Sequence, residues 1–175
     1  PIQELLADND AAKWRQAMEA ELSSHKAKET FEIVPIPANK HIYKHKWVMG
    51  IKYDAEGRIT KYKSRLTVAG WDMQYGVDYF ESYAPTLSLD SLRILFTMAV
   101  NKNMKVFHMD VRTAYLNADL REDVYMSVPE GMEVAEGSCL KLKKSLYGLK
   151  LSAYNWHENI KASLLEFGLV QNKFE

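Results

Sequence analysis

Cysteine is nearly missing from this chain: one residue, Cys139, in 175. A lone thiol excludes any intrachain disulfide framework and removes the usual mark of a secreted scaffold. Long apolar runs are missing as well. None approaches the roughly twenty residues that a membrane-spanning helix needs, no signal peptide opens the chain, and no membrane partner is expected. Excess charge of either sign is absent, with Lys plus Arg and Asp plus Glu at 23 each, so the overall balance names no partner. There is no Gly-rich phosphate loop followed by Lys-Ser/Thr, no Gly-x-Ser-x-Gly elbow, and no Asp-Asp pair anywhere. The chain opens on Pro1 rather than Met, as expected of a piece of a longer polypeptide.

What is present is a globular composition, 47% hydrophobic and 26% charged, long enough for one domain or for two small lobes sharing a core. The charge is unevenly placed. Between Lys40 and Arg65 the cations Lys40, Lys44, Lys46, Lys52, Arg58, Lys61, Lys63 and Arg65 face only Asp54 and Glu56, whereas acids outnumber bases between Asp72 and Cys139. A basic arm beside an acidic body suits a protein that grips phosphates in one place and a cation in another, although a solvated lysine hairpin has the same composition.

Spacing predicts an amphipathic helix from Ala11 to about Lys26, capped by Asp10, with Trp14, Ala17, Met18 and Leu22 on its buried face. Phe31 and Ile33 read as a short edge strand ended by Pro35 and Pro37. Trp47 to Tyr53 and Arg58 to Ala69 alternate around the turn Asp54-Ala55-Glu56-Gly57, which makes a long hairpin. Trp71 to Pro85 is an ordered loop with Trp71, Tyr75, Tyr79, Phe80 and Tyr83 as anchors, and Asp90 to about Lys102 a second helix with Leu92, Leu95, Phe96 and Ala99 facing the core. Val124 to Val128 and the Cys139 to Leu142 stretch are short strands, with a turn at Pro129-Glu130-Gly131. A third helix follows Leu146-Tyr147-Gly148-Leu149-Lys150, with Ser152 as N-cap, a stripe of Trp156, Ile160, Leu164 and Phe167, and Gly168 at its end. Strands and helices do not alternate regularly, so the expected class is α+β in two lobes.

One stretch organises the rest. In Val106-Phe107-His108-Met109-Asp110-Val111 a β-prone apolar run carries a carboxylate, and Tyr115 follows. A carboxylate there needs a cation, and divalent metals with substrate phosphates are frequent partners at sheet ends. The alternative is an Asp turned to solvent at a strand end. His41 and His45 have helical metal-ligand spacing but lie in a strand-like, lysine-rich stretch without a Cys pair, which argues against zinc.

Trp47-Val48, Lys61 to Leu66, Gly76-Val77-Asp78-Tyr79, Met109 to Asn117, Val124-Tyr125-Met126, Pro129-Glu130-Gly131 and Leu146 to Lys150 with Trp156 occur in the order seen in copia-type retrotransposon reverse transcriptases, and the chain resembles that family from Trp14 to Phe167. The resemblance implies a reverse-transcriptase-like fingers and palm fold. The N-terminal brace and fingers would span about 1–105 and a partial palm about 106–175. It implies an RNA-directed DNA polymerase within a retrotransposon polyprotein, transferring nucleotides to a primer 3′-hydroxyl with Mg²⁺. Asp110 would be the first catalytic carboxylate and a metal ligand, with the backbone carbonyl of Val111 as a further ligand. Arg65, helped by Lys52, Lys61 and Lys63, would lie on the triphosphate. Tyr115 would sit under the sugar and exclude a 2′-hydroxyl, unless it is a core ring. Tyr147, Gly148 and Lys150 would shape the floor for template and primer. The implied partners are RNA/DNA template-primer, deoxynucleoside triphosphates, and the remaining palm, thumb and RNase H, in a cytoplasmic particle or the nucleus.

Departures accompany the matches. Leu151 replaces the family's usual Gln, Ala69 its usual Lys before Gly70, and Ala153, Tyr154 and Asn155 precede Trp156 where a small residue and an Arg are usual. The family's other two carboxylates, in a Tyr-x-Asp-Asp hairpin, do not occur before the chain stops at Glu175. The expectation is therefore a chain truncated before that hairpin and catalytically silent alone, acting at most as a nucleic-acid-binding module. Its Asp110 strand would lack its sheet neighbour and leave apolar surface exposed.

Overall fold

The computed structural model describes residues 2–7 and 9–171. A short helix α1 (Ile2–Leu5) precedes α2 (Ala11–Ala27), followed by β1 (Phe31–Pro35), β2 (Ile42–Tyr43), β3 (His45–Tyr53) and β4 (Ile59–Val68). Then come α3 (Leu89–Asn101), β5 (Tyr125–Met126), β6 (Ser138–Leu142) and α4 (Ser152–Glu166). Single 3-10 turns lie at Gly70–Asp72 and Ala114–Asn117. The architecture is mixed α and β. No helix among the described residues is long and apolar enough to cross a membrane.

Two sheets share one core. The four-stranded sheet has the order β1-β6-β5-β2, with β6 antiparallel to both β1 and β5, and β2 parallel to β5. β1 is an edge strand, as Pro35 at its end requires. The second sheet is the β3–β4 hairpin, in register from His45↔Val68 to Lys52↔Lys61. Alternation along β4 turns Ser64, Leu66 and Val68 inward, and Leu66 and Val68 share one core with Leu140, Leu142 and Leu146 from the other sheet and its exit.

α2 lies across β4. Trp14 packs edge-on against Tyr62, ring centroids 4.8 Å apart, and Met18 continues the buried stripe. Asp10 precedes this helix but does not cap it through its side chain. Its carboxylate accepts instead from Lys13 Nζ and Tyr62 Oη, each at 2.7 Å, and these bonds, Lys13 first, hold it below the usual carboxylate range. Ser152 does not cap α4 either. Its hydroxyl donates to the Leu146 carbonyl at 2.6 Å, which closes the turn before the helix. Gly168 does end α4, with φ +82° and its N–H on the Leu165 carbonyl.

Further expectations are corrected. Residues 104–111 form no strand: no described segment offers them a backbone ladder, and Phe107 and Met109 stand 78% and 86% exposed. α3 forms over nearly the expected span, capped by Ser88, whose hydroxyl accepts the Ser91 N–H. Only Ala99 on it is buried; Leu95 and Phe96 face solvent, since nothing described packs on them. Trp71, Tyr75, Phe80 and Tyr83 are also exposed, and only Tyr79 of those aromatics packs on the core. The α4 stripe fades in the same way, with Leu164 and Phe167 uncovered.

The two sheets meet backbone to backbone. Val68 N–H donates to the Tyr147 carbonyl at 2.8 Å, and a Cβ on Gly148, whose φ is +97°, would fall 1.9 Å from the Val68 oxygen. Gly70 abuts the same turn, 2.3 Å from the Gly148 oxygen to a Cβ built on it. Gly148→Ala is therefore expected to destabilise the fold by about 3 kcal/mol or more, seen as a large drop in the urea midpoint. Gly50→Ala, with nothing within 4 Å of the added carbon, should shift that midpoint little.

Candidate functional site

Alternation puts Lys61, Lys63 and Arg65 on one face of β4, opposite the face that meets the core. Register places Lys52 across from Lys61, Gly50 across from Lys63 and Val48 across from Arg65. The result is a cationic face with a shallow groove of about 180 Å³, lined by Val48, Gly50, Lys52, Lys63 and Arg65 among others. Gly50 leaves this groove open where any side chain would fill it. Like charges directly opposite one another destabilise a sheet. Lys52 and Lys61 are such a pair; at Lys63, which faces Gly50, burial first, and then Arg65, Lys52 and Lys61, hold the ammonium below the usual lysine value of 10.5, against the opposing pull of Glu21.

Aromatic rings border the cationic face. The Arg65 guanidinium lies over the Tyr147 ring, 5.4 Å from its centroid, and Tyr147 in turn packs on Tyr115, centroids 4.5 Å apart at 48°. Tyr115 is half-buried, not a core ring. It rides on the 3-10 turn Ala114–Asn117, entered through Thr113 at φ 50°, ψ 49°, left-handed backbone that a β-branched residue rarely adopts. Asn117 holds that turn, its amide donating to the carbonyls of Thr113 and Ala114 at 3.3 Å, while Lys28 Nζ donates to its oxygen at 2.7 Å.

Arg65, Tyr115 and Tyr147 are thus brought into contact, with Lys52, Lys61 and Lys63 on the adjoining strand surface. Gly148 is bound into the joint between the sheets, and Lys150 is exposed beyond it. Asp110 is exposed on the irregular 104–111 segment and makes no hydrogen bond or ion pair to the described residues, with Val111 beside it, also exposed. No group of three or more His, Cys, Asp or Glu that could hold a metal occurs among the described residues. His41 and His45 diverge: His41 Nε2 meets Asp72 at 3.2 Å, whereas His45 lies between Ser127 and Glu130. A larger hollow of about 870 Å³, with Met18, Leu22, Phe31 and Met132 in its wall, contains none of the candidate site residues Lys52, Lys61, Lys63, Arg65, Asp110, Val111, Tyr115, Tyr147, Gly148 and Lys150.

Two supports were not read from the sequence. Glu21 on α2 accepts the Leu66 N–H at 3.3 Å on the free edge of β4. His25, fully buried, hydrogen-bonds Thr30 through Nδ1 at 3.2 Å and faces Glu21 at 3.6 Å. The signal was there: Glu21 and His25 continue the Trp14, Met18 spacing with polar residues. Leu151, where the resemblance expects a polar residue, is buried in the core.

The chain matches the family model described as reverse transcriptase (RNA-dependent DNA polymerase) over residues 28–175. It is 35% identical over 158 residues to the retrovirus-related Pol polyprotein from transposon TNT 1-94 of Nicotiana tabacum, covering 89% of this chain and 12% of that one. To the corresponding polyprotein from transposon RE1 of Arabidopsis thaliana it is 33% identical over 163 residues, 91% of this chain and 11% of that one. The Ty1-NL2 Gag-Pol polyprotein of Saccharomyces cerevisiae is 34% identical over 106 residues, 60% of this chain and 6% of its own length. The chain therefore spans about a tenth of the length of the plant relatives it matches. No solved structure matches it.

The depressed Lys63 carries a sign. Folding disfavours its charged form, so the penalty is full below the lowered value and disappears as pH rises past the unfolded one. An anion in the groove should reverse the shift. Titrating the side-chain signals of isotope-labelled lysine by NMR should give Lys63 a midpoint below 10.5, and tripolyphosphate should move it upward; a midpoint indifferent to the anion would show that the face does not take phosphates.

Proposed function

The chain belongs to the reverse transcriptase (RNA-dependent DNA polymerase) family of retrotransposon Pol polyproteins, and from that premise we propose that it is the nucleotide-gripping part of such a polymerase. The observation that carries this reading is the contiguity of the Lys52, Lys61, Lys63 and Arg65 face with the Tyr147 and Tyr115 rings. A planar guanidinium flanked by ammonium groups suits a triphosphate, and a half-buried ring next to it suits the sugar. Here Arg65, Lys63 and Lys52 hold the phosphates, with Lys61 as a helper. Tyr115 lies under the sugar and leaves no space for a 2′-hydroxyl. Tyr147, Gly148 and Lys150 form the floor toward template and primer. The hairpin and α2 act as fingers and brace, about 1–105, and the remainder as part of a palm.

Metal chemistry tests the reading at Asp110. Its carboxylate and the Val111 carbonyl are hard oxygen donors of the kind Mg²⁺ takes, yet no group of three or more potential ligating side chains forms among the described residues, and a single carboxylate does not by itself make a two-metal site. The chain's own residues therefore do not fit the full site. In the polymerase reading the uncovered 106–111 segment receives a hairpin bearing two further carboxylates, the neighbouring palm, thumb and RNase H complete the enzyme, and nucleotidyl transfer to a primer 3′-hydroxyl follows only then. A second reading is favoured by the lack of a three-ligand cluster among the described residues together with the intact cationic face: a catalytically silent module that binds template-primer alone.

Affinity for a primer-template duplex over a salt series tests the cationic face in both readings. The expected slope of log K against log[salt] is about −0.9 per phosphate contact on a B-form duplex, and Arg65→Ala should flatten it by about one contact; a wild-type slope near zero would remove nucleic-acid binding. The two readings part at Asp110. Asp110→Asn should leave that affinity unchanged in this chain, yet abolish Mg²⁺-dependent primer extension in a polyprotein supplying the other carboxylates. Extension that survives Asp110→Asn would overturn its assignment.

A further inference from the structure

The Tyr147 ring is in contact with both the phosphate-holding arginine and the sugar gate, and its backbone cannot move away from either. Its carbonyl accepts the Val68 N–H at 2.8 Å, and the next residue, Gly148, is pressed on the Val68 carbonyl so closely that no side chain fits. Val68 lies on the same strand as Arg65. The ring is thus fixed in register with Arg65 and extends across to Tyr115, whose own turn is clamped by Asn117. The Tyr147 hydroxyl makes no hydrogen bond to the described residues, so the ring face is what the arrangement uses.

From this geometry we infer that Tyr147 is a positioning residue that couples phosphate engagement at Arg65 to the placement of the Tyr115 ring. The inference rests on the phosphate-holding role of Arg65 given above. A solvent-facing cation–ring contact is weaker than a charge-assisted, two-pronged bond to phosphate, so an arriving polyphosphate draws Arg65 off the Tyr147 ring. Tyr147 loses its partner on one face while keeping Tyr115 on the other, and the tyrosine pair repacks. The gate is thereby set by the phosphates before a sugar is present. A direct consequence is that a ligand with no sugar and no base still changes the surroundings of Tyr115.

The test uses this chain, isotope-labelled, with inorganic tripolyphosphate as the probe and two NMR signals as readouts: the Arg65 Nε–Hε resonance and the Tyr115 ring protons. In the wild type both are expected to shift. In Tyr147→Phe both should still shift, since the ring is retained. In Tyr147→Leu the Arg65 signal should still move while the Tyr115 response is lost. If Arg65 moves but Tyr115 does not in the wild type, or if Tyr115 responds equally in Tyr147→Leu, the coupling is wrong and the phosphate role of Arg65 stands. If Arg65 does not move in any variant, both that role and the coupling fall. Should Tyr147→Leu fail to fold, the wild type and Tyr147→Phe decide alone: a Tyr115 response that requires the hydroxyl would overturn the ring-based account.

Discussion

Everything that the candidate site does depends on one close approach, the Gly148 backbone against the end of β4. A hairpin and a four-stranded sheet can share a core through side chains and still rock against each other. Here the joint is made of main chain: the Val68 N–H on the Tyr147 carbonyl, with Gly70 and Gly148 stacked too closely for any Cβ. Glycine at φ +97° is the only residue type that meets both demands without strain. The joint fixes the distance between the cationic strand and the Tyr147 ring, and the site inherits its geometry from that contact rather than from a cleft.

The charge arrangement follows a different logic from the packing. Two lysines face each other across the hairpin, Lys63 is partly desolvated among them, and Glu21, the acid that opposes this, is engaged at the strand edge by the Leu66 N–H. Such a surface does not serve stability. Surface pairs of opposite sign do occur elsewhere, as in Lys144 with Asp119 and Arg58 with Asp54, so the lack of pairing on the β4 face among the described residues is local. An uncompensated cationic strip held rigidly beside aromatic rings is suited to a polyanion, in agreement with the family to which the chain belongs.

Local features were legible in the sequence and long-range ones were not. Alternation on both sides of Asp54 to Gly57 specified the hairpin, because a two-strand ladder is decided by neighbours in sequence. The same pattern could not say that β1 pairs with β6 or that β2 runs parallel to β5, since those registers are set by a shared core. Periodicity foresaw α3 but placed Leu95 and Phe96 inside; an apolar face becomes buried only when something covers it. The strand around Asp110 failed for the same reason: β-prone residues make a strand only with a ladder to join. Resemblance named Arg65, Tyr115 and Tyr147 separately, whereas their mutual contact depends on the Gly148 joint. Asn117 closes one of the family motifs, but its turn-holding role is not legible there, because a side chain that satisfies its own turn's carbonyls carries no periodic signal.

The pairing of β1 with β6 has a kinetic side. Phe31 to Pro35 must find Ser138 to Leu142 across most of the chain, and the loop-closure entropy of that search falls before any of the sheet's contacts repay it. The hairpin closes over a short turn with its whole ladder local. Topology thus gives the β3–β4 hairpin the smaller loop-closure cost and the large sheet the greater one. The Tyr147 turn follows β6 directly, so its seat on Val68 joins the locally closed hairpin to the sheet whose β1–β6 pairing spans the longer loop.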